Sequence, residues 1–347
     1  MIRIGDLTLE LPVLAAPMAG GPTTPDLVAA AAGAGGLGFL AGGYLDATQL
    51  AEQIRAARAR TATFGVNLFA PNPIRVDRAA YIRYASDLAP VAGRFGVTLP
   101  ARPVEDDDGW PDKIELLCSE PVPLVGVTFG LPPASAVRDL HRAGTAVAQT
   151  VTTAAEARWA QDAGVDLLVV QGGGAGGHSA VFDPVVIDPA VVDPVGDPLQ
   201  HLVGTVRAVR AATRLPMVAA GGLTTAADVA AVRRAGASAV AVGTALLLAD
   251  EAGTSQVHRR AIVGHHGPTR VTHAFTGRPA RALVNGFVSR FERSAPLGYP
   301  AVHHLTGPLR RAAAAAGDPE WVHLWAGTGH RTAVTGPAAE IPARLAV

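Results

Sequence analysis

The chain has 347 residues, and its 29 basic and 29 acidic side chains give a formal net charge of zero. With no excess of either sign, we expect neither a nucleic-acid partner nor binding to an anionic membrane surface. Hydrophobic residues make up 49% of the sequence and aromatic residues only 5%. This composition predicts a large core packed from small aliphatic side chains and excludes a chain that is mostly disordered.

The single cysteine, Cys118, excludes a disulfide within the chain and a metal cluster held by several thiolates. Charged residues, proline or glycine interrupt every apolar run before the roughly 18 residues that a membrane span requires. The first residues, Met1–Asp6, lack the basic end and apolar stretch of a signal peptide. These features predict a cytoplasmic protein without a membrane segment.

Short aliphatic runs alternate with alanine-rich segments of helical period, which indicates repeated βα units and a parallel sheet. Eight units within about 245 residues fit a closed (β/α)8 TIM barrel of the α/β class, with an open doubly wound sheet as the alternative. The predicted strands are Val13–Ala16, Leu37–Leu40, Phe64–Leu68, Leu124–Thr128, Ala146–Thr150, Leu167–Val170, Met217–Ala220 and Ala239–Val242. The predicted helices between them include Thr24–Ala34, Ala47–Arg60, Ala134–Ala143, Ala154–Ala163, Leu202–Thr213 and Ala226–Ala235.

Two segments fall outside this repeat. Residues 70–122 are too long for one βα connection and predict a partly helical insertion after the third strand. Residues 251–347 follow the eighth unit and are rich in Arg, His, Gly and Pro. We therefore predict a barrel over residues 1–250 and a C-terminal extension that packs near the barrel mouth as a small lid or substrate region.

The ends of the strands carry unusual residues, and that edge is where barrel enzymes assemble their sites. Glycines after the seventh and eighth strands suit a phosphate, because amides without a neighbouring Cβ can approach it closely; tight turns are the alternative reading. The residues at these junctions are Ala16, Pro17 and Met18 after the first strand, Asn67 in the third, Gln171 after the sixth, Gly221 and Gly222 after the seventh, and Gly243 and Thr244 after the eighth.

A glycine-rich loop, Gly172–Gly177, follows the sixth strand and ends at His178. Its spacing resembles a dinucleotide fingerprint, but Asp183 and Pro184 follow where that fingerprint requires a helix. The loop lets the chain pass close to a flat or bulky ligand, and a histidine at its end suits proton transfer at neutral pH. A purely structural histidine is the alternative.

Other candidate groups are weaker. His265, His266 and His273 lack a carboxylate at a regular offset, so we predict a solvated loop and no metal site. Cys118 lacks the basic surroundings of a reactive thiol. Asp106–Asp108 reads as a solvated turn. A set of three polar residues in the extension suits either anion binding or packing of the tail: Arg278, Arg281 and Asn285.

Five segments together resemble the nitronate monooxygenases, formerly called 2-nitropropane dioxygenases. They are Ala16–Gly20, Val66–Phe69, Gln171–His178, Ala219–Gly222 and Phe275–Arg281. The resemblance implies a barrel that binds FMN and oxidises alkyl nitronates, such as propionate 3-nitronate, with O2 to a carbonyl compound and nitrite. It implies a small-molecule substrate. For the oligomeric state we expect a monomer or homodimer.

Carried over by position, the resemblance makes His178 the active-site histidine, which abstracts a proton or orients the nitronate. It implies flavin contacts from Asn67, Gln171 and the Ala16–Met18 backbone. The remaining implied FMN positions are Gly176, Gly177, Gly221, Gly222, Gly243 and Thr244.

The chain departs from the family pattern at three places. Gly174 stands where the family often has glutamate, Ser179-Ala180 where Arg-Gly is common, and Ala241 where glutamine is common. The first two lie beside His178 and leave the substrate more open than FMN binding. The alternatives are an FMN-dependent NAD(P)H reductase acting on a quinone or an enoyl thioester and, less favoured, a flavin-free barrel that binds a phosphorylated metabolite.

Overall fold

A computed structural model describes residues 2–4 and 7–346 of the chain. Met1, Gly5, Asp6 and Val347, which belong to the predicted amino-terminal segment and extension, lie outside the described residues. The strands are β1 Ile2–Ile4, β2 Leu7–Leu9, β3 Val13–Ala15, β4 Leu37–Ala41, β5 Phe64–Phe69, β6 Leu124–Thr128, β7 Ala146–Val151, β8 Leu167–Gln171, β9 Gly177–His178, β10 Met217–Ala220, β11 Ala239–Val242, β12 Thr269–Thr272 and β13 Ala280–Leu283. The α-helices are α1 Pro25–Gly33, α2 Ala47–Arg58, α3 Arg78–Arg94, α4 Trp110–Ser119, α5 Ala134–Arg142, α6 Ala154–Asp162, α7 Pro189–Val192, α8 Pro198–Ala212, α9 Ala226–Arg234, α10 Gln256–Gly264, α11 Gly286–Phe291, α12 Ala301–Ala315 and α13 Glu340–Ala346.

Eight parallel strands close into a barrel in the order β10-β11-β3-β4-β5-β6-β7-β8, with β8 pairing back to β10. The predicted (β/α)8 fold is therefore confirmed, and each predicted strand matches an observed one to within one residue. The strands read as continuous aliphatic runs because both of their faces are buried. One face fills the barrel interior with Leu14, Phe39 and Leu167, and the other packs against the helices.

The barrel helices begin where the sequence offers a side-chain acceptor for the unpaired first-turn amides. Thr24, Asp46 and Thr225 each accept a hydrogen bond from the backbone N–H three residues ahead. The helix α8 begins at Pro198, four residues before the predicted start. Asp197 caps it, and proline is tolerated at the first helical position because no hydrogen bond is lost there.

The predicted insertion divides between two parts of the fold. Its last helix, α4, buries Trp110 and Leu117 in the outer barrel core and packs against α2 and α5, so it is the barrel's own third helix. The helix α3 instead packs in a second core with the C-terminal extension, where Tyr84 donates a hydrogen bond of 2.6 Å to the carbonyl of Ala274. The insertion and the extension therefore share one hydrophobic core.

The extension reaches the carboxyl ends of the barrel strands through a small antiparallel sheet. Its strand β13 pairs with β12 and with the two-residue strand β9, and Ala280 lies opposite His178 in this register. This pairing places the extension beside the glycine-rich loop that follows the sixth barrel strand.

Candidate active site

A cavity of about 550 Å³ opens where the barrel strands end. All of the residues predicted for the site line it, although their individual roles stay predictions. They come together because the carboxyl ends of parallel strands meet at one rim. The twelve residues are Ala16, Pro17, Met18, Asn67, Gln171, Gly176, Gly177, His178, Gly221, Gly222, Gly243 and Thr244.

At part of the strand-end rim, the backbone is packed so closely that the residue can have no side chain. Gly221 adopts φ +107°, and a Cβ at this position would lie 2.7 Å from the carbonyl oxygen of Gly172. A Cβ at Gly176 would lie 2.5 Å from the amide nitrogen of Gly327, in the extension. Glycine is therefore required at both positions by close backbone contacts. The Thr244 hydroxyl also meets the extension here, accepting a hydrogen bond of 2.9 Å from the Gly327 N–H.

The backbone of the first strand end is fixed along the cavity wall. The N–H of Ala16 donates to the carbonyl of Val242, and the N–H of Met18 donates to the Thr23 hydroxyl at 2.8 Å. Pro17 between them has no N–H to satisfy. This segment therefore presents a rigid surface to the cavity.

Asn67 and Gln171 use their amides differently. The Thr128 hydroxyl donates to Asn67 Oδ1 at 3.1 Å, which leaves the Asn67 Nδ2 without a hydrogen bond among the described residues. Gln171 accepts from the Ala180 N–H at 2.8 Å and donates to the His178 carbonyl at 3.3 Å. Gln171 therefore tethers the segment that carries the histidine, a role that was not predicted.

The ring of His178 is oriented by one hydrogen bond from the extension. Its Nε2 lies 2.9 Å from the Thr276 hydroxyl, which itself donates to the Arg278 carbonyl at 3.2 Å. Because a hydroxyl has one proton, Thr276 accepts from Nε2–H, and the neutral ring carries its proton on Nε2. The Nδ1 lone pair has no partner among the described residues and is accessible in the cavity that His178 lines.

The electrostatic surroundings keep this imidazole neutral. Loss of solvent around the ring, together with the positive charges of Arg278 and Arg310, lowers the pKa of His178 to about 3. The rings of Phe129, Trp325 and Tyr299 lie 5.4–5.7 Å from it, centroid to centroid. In this setting His178 is a hydrogen-bond acceptor at neutral pH and a weak base unless an anion binds beside it.

Arg278, Arg281 and Asn285, for which the sequence left anion binding or packing open, all make structural contacts within the protein. Arg278 is fully buried, donates to the carbonyl of Val181 and lies 4.2 Å from the centroid of the Phe129 ring. Arg281 donates to the Gly173 carbonyl at 2.7 Å and pairs with Asp193. Asn285 accepts a hydrogen bond from Val288 N–H as the cap of α11. The two arginines thus anchor the loops around His178 through backbone carbonyls.

Two predictions of solvated groups need correction. The carboxylate of Asp108 is partly buried, 2.8 Å from Lys113 Nζ, and it accepts from the Tyr44 N–H at 2.9 Å. His273 pairs with Glu292 at 3.1 Å, so it is not merely a solvated loop residue. The Asp108–Tyr44 and His273–Glu292 contacts join separate segments, which local patterns do not reveal, whereas Lys113 is close to Asp108 in sequence. Partial burial raises the pKa of the Cys118 thiol, which agrees with a bystander role.

The extension adds a group of cavity residues that sequence analysis missed. His303, Arg310, His323 and Trp325 all line the cavity, and Tyr44 from the loop after β4 stacks on His303 with ring centroids 4.4 Å apart. The histidine and arginine content of the extension was the available signal. Its meaning depends on the packing of α12 against α3, which has no periodic signature.

Comparisons with known proteins place this chain in one family. Residues 3–346 match the family model for nitronate monooxygenase. The nitronate monooxygenase of Paraburkholderia phytofirmans is 35% identical over 350 aligned residues, covering 98% of this chain and 92% of that one. A probable nitronate monooxygenase of Staphylococcus saprophyticus is 32% identical, covering 94% and 91%.

Solved structures agree. A nitroalkane oxidase from Streptomyces ansochromogenes is 43% identical with a TM-score of 0.90, covering 97% of this chain and 96% of that one. FabK from Thermotoga maritima is more distant, 25% identical with a TM-score of 0.73, covering 99% and 94%. The chain thus belongs to the nitronate monooxygenase family. This confirms the predicted family and its enzyme class, a flavin-dependent oxidoreductase of the nitronate-oxidising type.

The described residues contain neither a membrane-spanning helix nor a cluster of metal ligands. Within residues 2–4 and 7–346, no helix is long and apolar enough to cross a membrane. The same residues contain no group of three or more His, Cys, Asp or Glu side chains arranged to hold a metal ion.

Proposed function

We propose that this protein oxidises alkyl nitronates, propionate 3-nitronate among them, with FMN and O2 to a carbonyl compound and nitrite. One observation carries the proposal. His178 and the glycines at the ends of the barrel strands line the same cavity of about 550 Å³. Membership of the nitronate monooxygenase family supports the same reaction class.

The residues of the cavity fit FMN. At Gly221 a Cβ would collide with backbone, so the rim offers bare amides of the kind that bind phosphate. Asn67 Nδ2 is an unused donor for a polar ring edge or ribityl chain, and the rigid Ala16–Met18 segment offers a flat wall. Bound FMN would supply the redox chemistry with O2. The residues proposed to hold its phosphate are Gly221, Gly222, Gly243 and Thr244, and two further FMN contacts are proposed at Gly176 and Gly177.

The chemistry left to the chain is binding, orientation and one proton. His178 presents a lone pair at Nδ1, and its low pKa keeps that lone pair free at neutral pH. The weak basicity of the ring makes proton abstraction from a neutral nitroalkane slow, whereas a preformed nitronate requires no such step. We therefore propose that nitronates are better substrates than the corresponding nitroalkanes. Phe129 and Trp325 pack around the ring and limit access of water.

The decisive experiment measures FMN content and nitrite release from propionate 3-nitronate on the same purified sample. Stoichiometric FMN with nitrite production in air supports the proposal. Rapid reduction of the flavin by NADH without oxygen, and no nitrite from nitronate, supports the NAD(P)H reductase instead. Colourless protein that takes up no added FMN supports a flavin-free barrel.

The cellular setting is part of the proposal. A cytoplasmic location agrees with the single cysteine, Cys118. We propose a monomer or homodimer, which size-exclusion chromatography with light scattering measures directly.

A further inference from the structure

Arg310 is a buried cation in the cavity wall. It lies on α12 with 4% of its surface exposed. Its Nε donates to the Thr306 hydroxyl at 3.0 Å, and its two terminal nitrogens donate to Nδ1 of His323 at 3.1 Å and Nδ1 of His303 at 3.3 Å. Among the described residues no carboxylate forms an ion pair with it. Because no carboxylate neutralises this positive charge, the cavity is favourable to an anion.

The two hydrogen bonds from Arg310 fix which nitrogen of each histidine carries the proton. A guanidinium can only donate, so Nδ1 of His303 and of His323 must be unprotonated. Burial, and then the charge of Arg310, hold the pKa of both rings well below its usual range, so each is neutral with its proton on Nε2. Neither Nε2 makes a hydrogen bond among the described residues, and both are accessible in the cavity.

These two N–H donors share the cavity with the acceptor of His178. Trp325 bridges His178 and His323, with centroid distances of 5.4 Å to each. Tyr299 bridges His178 and His303, at 5.7 and 6.3 Å. The three imidazoles therefore surround one space, two offering protons and one offering a lone pair.

We propose that His303 and His323 hydrogen-bond the two oxygens of the substrate's nitro or nitronate group, with Arg310 as the positioning residue. This rests on the proposed nitronate oxidation and deepens it. A nitronate spreads its negative charge over two oxygens, which require donors and a nearby positive charge. Arg310 supplies the charge, and a guanidinium bonded to two rings at once holds the donors side by side.

Nitrate is a suitable probe because it is a planar oxyanion that cannot be oxidised. Its dissociation constant is measured by calorimetry on the FMN-loaded protein, with FMN content checked for every variant. His323→Phe removes the N–H donor, whereas His323→Asn keeps an acceptor for Arg310 and a donor for the cavity. Arg259→Met is the matched control, since Arg259 donates at 2.9 Å to the Leu248 carbonyl and does not line the cavity.

We expect His323→Phe and Arg310→Met to weaken nitrate binding and raise KM for the nitronate by about tenfold or more, the loss for one hydrogen bond to a charged oxygen. His323→Asn should recover most of both values, and Arg259→Met should change neither. A structural role alone would lower stability without this rescue. Nitrate affinity and KM unchanged in an FMN-loaded His323→Phe protein would overturn the inference while leaving nitronate oxidation intact. A different pair of results would refute the proposed function alone. In that case the wild-type protein would release no nitrite from the nitronate, while His323→Phe and Arg310→Met would still bind nitrate more weakly than wild type.

Discussion

The barrel and the C-terminal extension contribute to the site in opposite ways. The barrel rim supplies mainly backbone. Gly221 and Gly176 lie so close to other backbone segments of the protein that a side chain at either position cannot fit. The extension supplies side chains: Thr276 orients the ring of His178, and Arg310 orients the ring of His323. The difference teaches that, in the proposed function, the barrel fixes where the cofactor binds and the extension decides which substrate binds beside it.

The largest expected effect tests His178, which joins the two regions. His178→Asn should keep FMN, because the rim is untouched, but lose turnover of a neutral nitroalkane by roughly a hundredfold or more. Turnover of the preformed nitronate should fall much less. Steady-state rates on both substrates measure the ratio. Equal losses on the two would assign the ring to nitronate binding rather than to proton transfer.

The sequence predicted the barrel side of this comparison well. Eight aliphatic runs fix the strands, and parallel strands necessarily bring their carboxyl ends to one rim, so residues as distant as Ala16 and Thr244 line the same cavity. Alternation of strand and helix is a local signal, and it survives in a single sequence.

The extension could not be predicted in the same way. The strand β9 has only two residues, Gly177 and His178, and its pairing with β13 leaves no periodic pattern. Arg310 reaches the cavity through packing of α12 on α3, and His323 lies on the segment that follows α12. Both positions depend on contacts between segments far apart in sequence. Asp108 seemed solvated for the same reason, since its partner Tyr44 lies 64 residues away.

The rim is tested by a pair of glycines. Gly221→Ala should destabilise the protein by about 1–3 kcal/mol and weaken FMN binding, because φ +107° and a Cβ 2.7 Å from the Gly172 carbonyl oxygen are both unfavourable. Gly204→Ala, on an exposed face of α8 with open space around it, should stabilise by about 0.5–1 kcal/mol. Thermal unfolding and FMN titration measure both. If Gly221→Ala kept wild-type FMN affinity, the rim would not hold the cofactor.

The link between the extension and His178 is tested by Thr276→Val, which keeps the shape of the side chain and removes the acceptor for Nε2–H. The ring is then free to rotate or change tautomer, and we expect kcat/KM for nitronate to fall by about tenfold, the value of one buried hydrogen bond. FMN content should not change. Thr276→Ser, which retains the hydroxyl, serves as the control and should stay near wild type; loss in both variants would indicate packing instead.

Acidification should affect the extension more than the barrel. Burial lowers the pKa of His258 to about 4 and of His303 and His323 well below its usual value, and all three lie in the extension. When the pKa of a group is lower in the folded protein than in the unfolded chain, the unfolded chain takes up the proton at a higher pH as the solution is acidified. The stability it contributes is therefore complete above pH 6.5 and is lost as pH falls toward the folded pKa, by up to about 1.4 kcal/mol per pH unit for each ring.

Denaturant unfolding between pH 7 and pH 4.5 measures this slope. With Trp110 and Trp159 of the barrel replaced by Phe, Trp321 and Trp325 report on the extension by fluorescence. Far-UV circular dichroism reports mainly on the barrel helices. His258→Gln removes one of these protons and should flatten the fluorescence-detected slope by about 1.4 kcal/mol per pH unit. His266→Asn, which replaces an exposed histidine of the extension, is the matched control for loss of an imidazole. A slope as steep in His258→Gln as in wild type would show that the buried extension histidines do not set the acid sensitivity, and the contrast between the two regions would have to rest on the site residues alone.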